Sequence, residues 1–96
     1  MKLVSMKPAT NGKNKYTAQF LQDNGRTKTT SFGAKGMDDY TLTQDKEARA
    51  RYRTRHQKDL ATKDPTRPGY LSYYLLWGDS TSFAENLRAY KSRFNL

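Results

Sequence analysis

Between Lys15 and Gln22 the chain alternates: Tyr16, Ala18 and Phe20 are apolar, Thr17 and Gln19 polar. Successive side chains of a strand point to opposite faces, so this spacing predicts a strand with one apolar face. Lys2–Lys7 reads as a shorter strand stopped by Pro8, and the Thr-rich Arg26–Phe32 as a third. Asn11-Gly12 and Asn24-Gly25 lie between them, and Asn-Gly is a strong hairpin signal. The N-terminal third therefore predicts a three-stranded antiparallel meander over residues 1–32.

After a loop at Gly33–Met37 and a lead-in at Asp38–Thr43, the period lengthens. Residues 45–61 are strong helix formers, with Thr43 or Asp45 available as the cap. Ala48, Tyr52, His56 and Leu60 recur at i, i+4 and form one stripe of that helix. Thr62–Arg67 breaks it. Pro68 suits a first helical position, with Thr66 or Arg67 at the cap. Tyr70–Trp77 is apolar nearly all round and predicts a buried short helix ended by Gly78, a buried strand being the competing reading. Ser82 and Glu85 have capping-box spacing, and Phe83, Leu87, Tyr90 and Phe94 share a face of the helix that follows. The whole predicts one α+β domain, the meander followed by a helical half of two to three helices over 45–96. Its core gathers Tyr16, Ala18, Phe20, Phe32, Tyr52, Leu60, Leu71, Tyr74, Leu75, Phe83, Leu87, Tyr90 and Phe94, with Trp77 near the centre.

Composition supports a small core. The chain has 96 residues and is 34% hydrophobic, but seven Tyr, four Phe and one Trp supply large buriable areas. Charge changes the picture more. Eighteen Lys and Arg against nine Asp and Glu give a net charge of +9, spread over both halves. Such an excess favours a polyanion partner. There is no cysteine, which excludes disulfides, thiolate zinc ligands and thiol nucleophiles. No segment has the length and apolarity of a signal sequence or membrane span, so a protein that is not secreted and makes no membrane contact is expected.

Enzymatic readings find little support. His56, the single histidine, sits on the packing stripe with no nucleophile at a recognisable spacing. Asp38-Asp39 with a distant Asp45 or Asp64 is the one arrangement that would suit a divalent metal, as in a small metal-dependent nuclease. Adjacent acids before a helix more often serve its N-terminus. Gly33-x-x-Gly36 lacks the Lys-Ser/Thr of a phosphate loop. No catalytic residue, metal or cofactor is expected. The stronger signal is Arg49, Arg51, Arg53, Arg55 and Lys58, five cations within ten residues. Guanidinium groups suit bidentate phosphate contacts. Glu47–Arg51 and Arg55–Asp59 have i, i+4 spacing and are expected to neutralise part of this charge. On a helix the arginines divide, with Arg51 and Arg55 outward beside Lys58, and Arg49 and Arg53 edging the apolar stripe. Arg26, Lys28 and Lys35 are expected to make a second patch on the open face of the sheet.

The second half also carries three ordered blocks. They are Arg51-Tyr52-Arg53-x-Arg55-His56, then Asp64-Pro65-Thr66-x-x-Gly69-x-Leu71-Ser72-x-x-x-Leu76-Trp77, and then Tyr90-Lys91-x-Arg93-Phe94-Asn95-Leu96. Over roughly residues 45–96 this resembles a family of small uncharacterised proteins of large double-stranded DNA viruses of algae and amoebae. The resemblance implies a viral protein located in the infected cell or the virion, and it implies no catalytic site. Two functions fit: nucleic-acid binding through phosphate contacts, or a virion structural or assembly role against acidic capsid or other virion proteins.

Overall fold

The computed structural model describes residues 1–96. Three antiparallel strands, β1 (Lys2–Pro8), β2 (Asn14–Leu21) and β3 (Thr27–Ala34), lie in the order β1-β2-β3. Asparagine side chains build both turns. Asn11 Oδ1 accepts from the N–H groups of Lys13 and Asn14, and Asn24 Oδ1 from that of Arg26. Pro8 ends β1 on an edge, where a missing N–H is tolerated. β3 runs on through Gly33 and Ala34, beyond the expected end at Phe32. Gly33 has φ +74°, and a Cβ there would lie 2.8 Å from Leu76 Cδ1, so the missing side chain admits the helical layer.

The helical half is α1 (Tyr40–Thr43), α2 (Lys46–His56) tightening into a 3₁₀ stretch (Gln57–Thr62), α3 (Pro68–Leu71) continued by a π-helical turn (Ser72–Leu76), and α4 (Phe83–Arg93). Asp39, Asp45 and Ser82 cap α1, α2 and α4 with their side-chain oxygens. The fold is thus α+β as expected, but α2 is shorter than residues 45–61 because its end winds tighter. That stretch sets Leu60 against the core and offers its carbonyl to the Tyr70 hydroxyl at 2.7 Å. The apolar run is helical and not a strand. It widens so that the Trp77 N–H donates to Ser72 O, five residues back.

The inward face of the sheet (Leu3, Ala18, Phe20, Phe32) packs on Tyr70, Leu71, Leu75, Leu76 and Tyr90. Burial holds the Tyr90 phenol well above its ordinary pKa, and its hydroxyl donates to Pro65 O. The Asp64-Pro65-Thr66 turn ties the two layers. Thr66 donates its hydroxyl and its N–H to Asp64, and its carbonyl accepts from Thr30 Oγ1 at 2.8 Å. These Thr66 bonds, with Lys28 and Arg67 nearby, hold the Asp64 carboxyl below its usual range. The expected core is corrected: of its members Ala18, Phe20, Phe32, Leu71, Leu75 and Tyr90 are buried, and Leu3, Tyr70 and Leu76 join them. Trp77 is only half-buried at the rim, because it stacks on Tyr52 (4.6 Å between centroids) and not under the sheet. Leu60, like Tyr16, Tyr74, Phe83, Leu87 and Phe94, is partly buried and packs against the core from its edge, whereas Tyr52 lies outside it, and α2 contributes no fully buried side chain.

Candidate nucleic-acid interface

At about 100° per residue, positions 49 and 53 fall on one side of α2 and 51 and 55 on the other. The inner pair is anchored. Arg49 Nε donates to Gly78 O, and its terminal nitrogen pairs with Asp79, both at 2.6 Å. Arg53 donates to Trp77 O at 2.8 Å and lies over the Tyr73 ring, 4.1 Å from its centroid. These arginines bind carbonyls just beyond the π-helical turn, the end where a helix leaves its acceptors unpaired. Between them Tyr52 is sandwiched by His56 (4.1 Å) and Trp77, the three rings nearly parallel. Burial pushes the Tyr52 phenol up.

Arg51, Arg55 and Lys58 are exposed, and none takes part in an ion pair. The expected Glu47–Arg51 and Arg55–Asp59 pairs do not form. Asp59 turns instead to His56 Nδ1 at 3.1 Å. The outward face of α2 and of the stretch after it thus carries three cations with no acidic partner. Arg49 and Arg53 belong to the scaffold.

The second patch does not form. Lys28 sits opposite Phe20 on the inward face of the sheet and donates to Thr66 Oγ1 at 2.8 Å, with Asp64 at 3.9 Å. Arg26 and Lys35 are exposed, but they flank β3 at its two ends, roughly 25–30 Å apart at the rise of a strand. The open face takes its basic groups from β1 instead. A bulge between Leu3 and Ser5 shifts the register, so Lys2 and Lys7 both pair with outward residues of β2, Leu21 and Thr17. Without the bulge, positions an odd number apart would face opposite ways. For Lys28 the signal was available, since it shares parity with Phe32.

The acidic pair is divided too. Asp39 is buried and accepts from Lys15 Nζ (2.5 Å) and from the Thr41 N–H and hydroxyl. Asp38 is exposed. No group of three His, Cys, Asp or Glu is placed to hold a metal ion, and no helix is long and apolar enough to cross a membrane.

A family model matches residues 4–56, from within β1 to the end of α2; it is described as a family of unknown function (DUF5754). No curated protein and no solved structure matches the chain.

Proposed function

Since the chain belongs to this family of unknown function, DUF5754, we propose from its chemistry that it is a small basic DNA-binding protein that contacts phosphates. The observation that carries this reading is the outward face of α2, where Arg51, Arg55 and Lys58 stand exposed without an acidic partner. An exposed helix bearing unpaired guanidinium groups fits the negative backbone of a duplex, and contact releases condensed counterions. The C-terminal resemblance makes the genome of a large DNA virus the proposed polyanion, met in the infected cell.

Duplex binding measured by fluorescence anisotropy is expected to weaken steeply with salt. The double variant R51A/R55A is expected to bind about 10–100-fold more weakly at low salt and to lower the salt slope by about 2. Undetectable duplex affinity at low salt, or a double variant indistinguishable from the parent, sinks the reading. Heparin competition separates DNA preference from general polycation behaviour.

A second reading, a virion structural or assembly component, draws on Met1, Val4 and Leu21, apolar side chains exposed at one end of the sheet. It requires the protein at fixed copy number in purified particles. Its presence in infected cells and absence from particles excludes this role.

A further inference from the structure

A cleft of about 820 Å³ lies beside the inner edge of α2, between the start of β2, the end of β3 with its following loop, and the π-helical turn. Its size matches a small-ligand pocket. Tyr52, His56 and Trp77 line it, and they are the three rings already stacked in parallel. His56 and Trp77 each stack on Tyr52 alone, so each keeps one ring face that no other aromatic ring covers. Arg55 and Lys13 also line the cleft, and neither has an ion-pair partner. The remaining cation of the lining, Lys15, is matched by Asp39, and Asp38 is the one acidic group at the wall. Flat aromatic surface and unmatched cations therefore meet in one concavity.

We propose that this cleft binds single-stranded nucleic acid, taking an unpaired base against the Tyr52–His56–Trp77 stack and its phosphates on Arg55 and Lys13. Stacking on aromatic rings beside a basic groove is how unpaired strands are held with little dependence on sequence. A duplex cannot present a base this way, because its bases are already paired and stacked. A free nucleotide offers the same chemistry, but Arg55 belongs both to the cleft and to the outward cations. The positive track therefore continues from the pocket to Arg51 and Lys58, where neighbouring phosphates of a strand would lie. The inference rests on the nucleic-acid reading and adds a second site with a different substrate form.

Trp77 is the single tryptophan, so intrinsic fluorescence reports on the cleft directly. The full chain is titrated with an oligothymidine of about twelve nucleotides, a length that fills a typical single-strand site. A duplex of the same length and adenosine monophosphate are run beside it. Quenching is expected with the single strand at concentrations where the mononucleotide gives none. K13A is expected to weaken single-strand binding about tenfold, the scale of one lost charged contact, while leaving duplex affinity within about twofold. Lys13 is exposed and its hydrogen bonds, to Asn11 in its turn and from Lys35 beyond β3, run through its backbone groups, so the variant is expected to keep the parent melting temperature. Absence of quenching, equal quenching by the mononucleotide, or an unchanged K13A titration each overturns the assignment. Duplex binding without single-strand quenching overturns it while leaving the outward face of α2 intact. Single-strand quenching without duplex affinity does the reverse.

Discussion

Replacing Gly78 by alanine is expected to lower stability by about 3 kcal/mol or more, a fall of about 15 °C or more in Tm for a domain of this size. A Cβ at Gly78 would lie 2.1 Å from the carbonyl oxygen of Tyr74 and 2.9 Å from both Cγ and Oδ1 of Asn86. The first neighbour is backbone of the π-helical turn, so it cannot rotate away as a side-chain tip can. The second is the hub of a buried hydrogen-bond set. Either the turn moves, taking Leu75 and Leu76 out of the core, or α4 moves. The carbonyl of Gly78 also receives Arg49, so displacement loosens α2 as well. Gly36→Ala is the control. That residue has φ +86° but nothing within 4 Å of an added Cβ, so it bears the left-handed backbone penalty alone, about 1 kcal/mol. Equal thermal shifts for the two variants, read by circular dichroism, would refute the close-approach argument.

The second large effect is expected at Asn86, which is almost fully buried. Its Nδ2 donates to Leu75 O (3.0 Å) and Ser80 O (2.8 Å), and its Oδ1 accepts from Ser80 N–H (3.0 Å). One amide thus joins the π-helical turn, the loop after it and α4. N86D keeps the shape and removes both donors, setting a carboxylate against two carbonyl oxygens. About 3 kcal/mol is the expected loss at neutral pH. The deficit depends on pH with a definite sign. Burial beside carbonyls raises the pKa of the introduced carboxyl in the folded state, so the folded protein holds a proton that the unfolded chain releases. Stability is therefore partly recovered below the ordinary carboxyl range and lost as pH rises through the raised value. Denaturant unfolding of parent and N86D at pH 4 and pH 7 checks this. A deficit that is constant, or larger at pH 4, contradicts the proposed geometry.

The sheet was legible because three signals agreed: alternation at Tyr16, Ala18 and Phe20, asparagine-glycine turns, and β-branched residues in the third strand. The partition of the arginines was legible for a similar reason, since helical spacing alone separates 49 and 53 from 51 and 55. What the pattern could not supply was the partner of each face. Trp77 is the largest apolar side chain, yet its place is set by a ring on α2 far off in sequence, and hydrophobicity carries no record of that pairing. The charge pairs failed likewise. Spacing allowed Asp59 to meet Arg55, but the tightened backbone after His56 turned it to the imidazole. The bulge in β1 has no glycine or proline to mark it, so the two lysines it places on the open face were invisible. Lys28 shows the opposite case, a residue whose parity already placed it inward.

α2 buries no side chain fully; it is held by two arginines, one ring stack and its caps. Detaching it would break those contacts while leaving the packed sheet and the π-helical turn closed to water. Its opening free energy is therefore expected to lie below that of global unfolding, which native-state hydrogen exchange of the α2 amides would read. The outward cations stand on an element, α2 and the stretch after it, that contributes no fully buried side chain. Any ligand that requires them in helical register must hold that element shut, so occupancy and local order rise together.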